Sequence, residues 1–255
     1  MFREERIKQI VEHLEQDGKV NVLTLKEQFN VSDMTIRRDL KLLEDRGVIE
    51  RTHGGALLSK VNRNRIEPPI IERMRSMADE KKKIAEYISK LVGEGETIFL
   101  GSGTSTFYVA RELIIRDDIT VVTNSVMILH ELANNSMINV VTVGGFLRRE
   151  ELSLIGAFAE AVLRDIRVNK VIIGMRGIHP LYGFTCEHPD ELMTDRRIIE
   201  ISDEVIFVAD HTKIGRVATN KVAAIERAKK IVTSKKAPLD VIENIRARGV
   251  EVILV

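Results

Sequence analysis

The sequence predicts two folded parts: a small module of three short helices closed by a β-ribbon, then a larger α/β domain built on a parallel sheet. Three observations carry that prediction. Apolar residues recur at helical spacing through the first 43 positions. Seven short β-branched runs follow beyond residue 96, without in/out alternation. Between them lies "SKVNRNRIEPPIIERMR", residues 59–75, which carries Pro68–Pro69 and shows no clean period. The expected boundaries are therefore 1–58 for the small module, 59–75 for a basic linker, and 76–255 for the α/β domain.

Composition narrows the class. A chain of 255 residues with 44% hydrophobic residues can bury a sizeable core. The opening "MFREERIKQI" carries both charges from its third position, unlike a signal or transit peptide. No run approaches the ~18 apolar residues of a membrane span. A single cysteine, Cys186, allows no intrachain disulfide framework. A soluble, cytoplasmic protein is expected. Net charge is +1, and residues 1–60 hold eleven basic and eleven acidic side chains, so any nucleic-acid reading rests on where charges sit.

Ile7, Ile10, Val11 and Leu14 form an i, i+3, i+4, i+7 stripe that stops at Gly18. "KVNVLTL" reads as a short strand running into a second helix through Phe29. Asn30–Ser32 is a tight turn, with the Ser32 side chain placed to cap a third helix. Ile36, Leu40 and Leu43 make that helix's buried face, and Gly47 ends it. "VIERTHGGALL" then reads as a two-stranded ribbon folding at Gly54–Gly55. In the second part a helix from about Asp79 to Val92 turns Ile84, Ile88 and Leu91 inward. "TIFLG", "ITVVT", "INVVTVGG", "NKVIIG", "EVIFVAD", "KKIVTS" and "VEVILV" are the strands of a Rossmann-like sheet covered on both faces.

The third helix places Arg37, Arg38 and Lys41 within five residues. With Ile36 facing the core, Arg38 and Lys41 point roughly opposite, while Thr35 and Arg37 flank. Arg can pair bidentately with guanine, and Lys can neutralise phosphate. The turn after Phe29 would set this helix across the preceding one, as in a helix-turn-helix, and the ribbon could serve as a wing. The alternative is a solvated face on which Asp39, Glu44 and Asp45 pair with the bases.

Residues 3–57, including "VSDMTIRRDLKLLEDRGVIERTHGGA", resemble the winged helix-turn-helix of the DeoR family of transcriptional regulators. The resemblance implies double-stranded operator DNA as partner. The expected DNA-facing residues are Ser32, Met34, Thr35, Arg37, Arg38, Lys41, Arg51, His53 and Gly54. Met34 also reads, with Met74, Met127 and Met175, as a core or gap-filling residue.

In "IFLGSGTSTFYVARELI" a strand, a Gly-containing loop and a helix follow one another. This is neither a P-loop nor a dinucleotide fingerprint, so it is either an anion cradle at a helix N-terminus or a plain tight turn. Other strand ends offer Asn124 and Ser125; Gly144, Gly145 and Arg148; Gly174, Arg176 and Gly177; and Asp210 with Lys213. Ligands of open parallel sheets bind outside the carboxyl ends of strands, so a small anionic ligand is expected. Residues 79–234 resemble the DeoR effector domain, which is similar in fold to ribose-5-phosphate isomerase and glucosamine-6-phosphate deaminase. The resemblance implies an effector that is a phosphorylated sugar or related metabolite, held by Ser102, Gly103, Thr104, Ser105, Thr106, Asn124, Ser125, Gly144, Gly145, Glu191 and Lys213. No enzyme activity, cofactor or metal is expected, and, because one small recognition helix seldom gives enough affinity, a homodimer or higher homo-oligomer is. The chain departs from the family pattern at Gly101, Met175 and His179, and Arg176 is unusual. Arg176 is either a second cationic anchor or the internal partner of Glu187, Asp190 or Glu191.

Two further classes are weighed. A sugar-phosphate isomerase or deaminase would need a carboxylate base, for which Glu191 is the one candidate. His179, Cys186 and His188 lack a four-ligand metal pattern, and no placed acid makes Cys186 a nucleophile.

Overall fold

A computed structural model of the chain describes residues 3–45, 49–52, 54–58, 70–134 and 137–255. Two compact units emerge, Met1–Glu67 and Pro68–Val255.

The first unit contains α1 (Arg3–Asp17), β1 (Lys19–Asn21), α2 (Val22–Phe29), α3 (Asp33–Asp45), β2 (Ile49–Thr52) and β3 (Gly55–Leu58). Ile10, Leu14, Ile36, Leu40 and Leu43, which the helical stripes indicated, lie in its core with Leu25 and Phe29, while Ile7 and Val11 of the first stripe pack at its edge. Asn30 adopts a left-handed conformation at the end of α2. Ser32 Oγ then accepts the Thr35 backbone N–H at 3.2 Å, which caps α3 as its sequence position suggested. The ribbon is larger than expected: β1 joins it, giving an antiparallel sheet of order β1-β3-β2. Gly55 permits this, because a Cβ there would stand 1.9 Å from the Val20 carbonyl oxygen. Gly47 and His53 lie outside the described residues.

The second unit is a three-layer α/β/α sandwich. All seven apolar runs become strands of one parallel sheet: β4 (Thr97–Leu100), β5 (Thr120–Thr123), β6 (Asn139–Thr142), β9 (Lys170–Ile173), β12 (Glu204–Val208), β14 (Lys230–Thr233) and β15 (Glu251–Leu254), ordered β15-β14-β12-β9-β4-β5-β6. One face packs under α5 (Ala78–Ser89), α6 (Thr104–Leu113) and α7 (Val126–Ala133). The other packs under α8 (Ala157–Arg164), α9 (Pro189–Glu200) and α10 (Leu239–Arg246). Along β4, Ile98 and Leu100 serve one core and Phe99 the other, so continuous apolarity reflects two buried faces.

Two small antiparallel pieces were not anticipated. A hairpin of β7 (Phe146–Arg148) and β8 (Ser153–Ile155) follows β6, and β10 (Gly177–His179), β11 (Gly183–Cys186) and β13 (Asn220–Ala223) form a three-stranded sheet. Residues 70–75, expected within the linker, form helix α4 (Ile70–Arg75) in the second unit, with Ile70 buried. The chain builds β4, β5 and β6 in one direction, then returns to place β9 on the other side of β4. That reversal opens a crevice at the carboxyl ends of β4 and β9, where doubly wound sheets bind ligands.

Candidate nucleic-acid interface and effector site

On α3 the basic residues differ in what they touch. Arg37 Nε donates to Asp33 at 2.8 Å, and Lys41 Nζ lies 3.1 Å from Asp45 and 3.5 Å from Glu44. Those carboxylates raise the Lys41 pKa. Arg51 on β2 approaches Glu44 at 3.8 Å. Arg38 is exposed, and no partner for it is found among the described residues. Asp39, a surface partner for these bases under the alternative of a solvated face, points the other way. It is buried and accepts from Arg6 Nε at 2.7 Å and Arg3 Nε at 3.0 Å, tying α3 to α1. Met34 is 61% exposed, so it is not the core residue its composition suggested. Ser32 and Gly54 are exposed and Thr35 half-buried. The outer face of α3 thus combines an unengaged guanidinium, an apolar side chain and two exchangeable cations. That set can meet guanine edges, thymine methyls and phosphates.

In the second unit, Ser102 and Gly103 sit half-buried after β4, with Thr104, Ser105 and Thr106 buried at the start of α6. Asn124 and Ser125 shape this loop from beneath. Asn124 Oδ1 accepts the Ser102 N–H at 3.1 Å and its Nδ2 donates to the Leu154 carbonyl, while Ser125 Oγ caps α7 at the Ile128 N–H. Gly144 and Gly145 are exposed beyond β6. Gly145 has φ 154°, and a Cβ there would stand 2.7 Å from the Ile155 carbonyl oxygen, so it sets the hairpin's approach. Gly174 and Gly177 flank Met175 and Arg176 on the exit from β9.

Arg148 and Glu191, placed separately by the sequence, meet at 2.6 Å in a buried ion pair. Glu187 receives Arg216 at 2.9 Å. Two of the three carboxylates considered for Arg176 thus hold other arginines, and Arg176 is itself engaged within the structure. Lys213 lies on the turn after β12, and its pKa is lowered by burial; Asp210 opposes this, while Arg176, Arg216 and Arg73 add to it. Lys81 is pushed down to about 8, by burial first, with Asp210 opposing and Lys213 and Arg73 reinforcing. Arg73, Lys81, Arg176, Lys213 and Arg216 thus gather at the carboxyl edge of the sheet, with Asp210 among them and with Arg73 and Arg216 paired to Glu151 and Glu187.

Lys81 and Arg73 were missed in the sequence. Lys81 had a signal: with Ile84, Ala85 and Ile88 it occupies the buried face of α5, where a lysine is out of place. Arg73 was hidden in the expected linker. His179 Nδ1 accepts from the backbone of Leu181 and Tyr182 within its own turn. Cys186 is buried and its thiol is pushed up to about 12 by burial and neighbouring carboxylates, the opposite of an activated nucleophile.

The DeoR C-terminal sensor domain matches residues 76–235, and the DeoR-like helix-turn-helix domain matches residues 6–61. The chain belongs to the DeoR family of DNA-binding transcriptional regulators. It is similar to a putative aga operon transcriptional repressor from Escherichia coli O157:H7, at 32% identity over 98% of this chain and 93% of that protein. It is also similar to the glycerol-3-phosphate regulon repressor of Escherichia coli K12, at 30% identity over 95% of each chain. Among solved structures, the sorbitol operon regulator from Klebsiella pneumoniae matches 94% of this chain and 97% of that one, with TM-score 0.40 and 9% identity. Ribose 5-phosphate isomerase A from Methanocaldococcus jannaschii matches 54% of this chain and 55% of that one, with TM-score 0.39 and 20% identity. Within this DeoR regulator, no helix among the described residues is long and apolar enough to cross a membrane.

Proposed function

We propose that this DeoR regulator represses a sugar or carbohydrate catabolic operon. In this reading α3 enters the operator's major groove, and a phosphorylated sugar or related metabolite in the sheet-edge site releases the DNA. One observation carries the effector reading: Lys81, Arg73, Arg176 and Arg216 gather with Lys213 beside the crevice where the strand order reverses, although Asp210 lies among them and Arg73 and Arg216 already hold Glu151 and Glu187. An anion would relieve the repulsion that remains between Lys81, Lys213 and Arg176, and Lys213 would act as the point charge on a phosphate. The names of the aga operon and glycerol-3-phosphate regulon repressors agree with this reading. Ser102 to Thr106 would supply backbone N–H groups to the phosphate. Arg176 would add a second anchor for a doubly acidic ligand, such as a sugar bisphosphate or phosphorylated sugar acid. Two-fold protomers would read operator half-sites about one helical turn apart, ~34–36 Å.

A thermal-shift screen of the full chain against phosphorylated sugars tests the effector, since a ligand of the folded state raises stability by mass action. Lys213→Met should bind DNA normally and resist release by the hit compound. Release at the wild-type concentration would remove Lys213 as anchor. Arg176→Ala should lose a doubly acidic ligand while keeping a singly phosphorylated one; equal weakening of both would end the two-anion idea.

The alternative, an isomerase or deaminase with an appended DNA module, is less well supported. Glu191 is held by the buried Arg148 guanidinium, which leaves it poorly suited to take a substrate proton. Turnover of any sugar phosphate by the purified chain would reverse this preference.

A further inference from the structure

Helix α4 is the first described element after the segment joining the two units, and it is fastened directly to the cation cluster. Ile70 N–H donates to the Glu150 carbonyl at 2.9 Å. The Arg73 guanidinium pairs with the Glu151 carboxylate, and both side chains are largely buried. Lys81 Nζ donates to the Arg73 carbonyl at 2.7 Å and the Ser76 carbonyl at 2.5 Å. Tyr108 of α6 donates to the Met74 carbonyl at 3.3 Å. These contacts join α4 to the β7–β8 turn, to α5, and to the helix that begins at the glycine loop. Glu151 is also next to that loop: a Cβ at Gly103 would stand 3.9 Å from Glu151 Oε1. An anion entering the loop therefore meets the carboxylate that holds Arg73.

We propose that Glu151 occupies Arg73 as an internal stand-in for the effector's phosphate, and that an incoming phosphate dianion takes over Arg73 and thereby loosens α4. This rests on the effector reading above and gives it a route: the ligand is read by α4, the first described helix of the sensor unit. The exchange supplies what a switch requires, a contact made in one state and broken in the other. Arg73 and Lys81 become ligand-binding residues, and Glu151 becomes the residue that sets the threshold for response. A guanidinium suits this exchange, because its planar fork binds carboxylate and phosphate in the same geometry.

The test uses the full chain and inorganic phosphate as probe. Hydrogen exchange is followed over residues 102–106 and 70–77, and phosphate affinity by calorimetry. In the wild type, phosphate should protect 102–106 and increase exchange over 70–77. Glu151→Gln should bind phosphate several-fold more tightly, because the competing charge is gone; a merely structural Glu151 would give no gain. Arg73→Gln should lose about tenfold or more in affinity, the scale of one charge-assisted hydrogen bond. It should also lose the response over 70–77 while keeping that over 102–106. A wild-type response confined to 102–106 overturns the α4 route and leaves the effector site standing. No response in either segment overturns both. The wild-type comparison decides the matter even if a variant fails to fold.

Discussion

Replacing Arg38 by Ala tests the DNA face most directly. Arg37 must leave Asp33 to reach DNA, and Lys41 must leave Asp45 and Glu44, whereas Arg38 has no such partner among the described residues. An exposed i,i+4 pair is worth about 0.3–0.5 kcal/mol, so Arg37 gives up only that fraction of a DNA interaction on binding. Arg38 keeps the full value of its interaction, ~1–3 kcal/mol if it reads a base, or roughly 5- to 150-fold in affinity. Its removal also leaves the core untouched, since Ile36 and Leu40 carry the packing. Fluorescence anisotropy against operator and unrelated DNA over a range of salt separates the two modes of binding. If Arg38 reads a base, the substitution lowers operator affinity and spares unrelated DNA. If it neutralises a phosphate, the substitution weakens both and reduces the salt slope by about 0.9. Unchanged affinity at every salt concentration would refute the interface, and a larger loss from Arg37→Ala would refute the ranking by partners.

Asp39→Asn should destabilise the DNA-binding unit by ~3 kcal/mol or more, because the buried Arg6 loses its countercharge; the exposed Arg3 adds little. Chemical denaturation read by loss of DNA binding checks this, and a loss below about 1 kcal/mol would make the pair dispensable. Phosphate affinity should be greatest below about pH 8 and fall above it by up to tenfold per unit, as Lys81 releases the proton that attracts the anion. Calorimetry between about pH 8 and 9.5, where inorganic phosphate is mainly the dianion, would show a flat profile if Lys81 were outside the site. The ligand-free protein should behave oppositely. Lys81 has a folded pKa of about 8 against 10.5 unfolded, so between these values the unfolded chain binds more protons and stability rises with pH. A denaturation midpoint that falls over that range, with no such rise, would contradict the assignment.

Much of the architecture was legible because burial on both faces leaves a plain trace. Each of the seven apolar runs became a strand of the parallel sheet, and the third helix buried the expected Ile36, Leu40 and Leu43. Strand order was not legible, since every run looks alike and their pairing is non-local. The three-residue strands β7, β8 and β10 escaped for a different reason: they are too short to show a period, and glycines and charges surround them. Charges were the hardest to read. Asp39 follows Ile36 by three residues and so lies on the buried side of α3, yet its ion pair with Arg6 depends on a helix 33 positions earlier. Arg73 sat beside Pro68–Pro69 in a stretch without periodicity, and only its tertiary pairing with Glu151 reveals its place. Arg148 and Glu191 were each expected at the site, but spacing cannot say that two opposite charges 43 residues apart neutralise one another.

The charge distribution at the sheet edge favours a switch over a catalyst. Arg148 holds Glu191 at 2.6 Å and lies 3.9 Å from Glu151. Asp195, one turn further along α9, is kept well above the usual carboxylate range by desolvation and by Glu191 and Glu151, against the pull of Arg148. Glu151, Glu191 and Asp195 thus gather around Arg148; Lys81, Lys213, Arg176 and Arg216 gather around Asp210; and the Arg73–Glu151 pair links the two groups. An anion entering between them is drawn to the cations and repelled by Glu151 in the same movement. Tight binding alone would shift no equilibrium, because a ligand with equal affinity for two states leaves their ratio unchanged. Opposed forces on the two halves of one ion pair make the affinities unequal. The part of the molecule that feels the difference is α4, the first described element of the sensor unit.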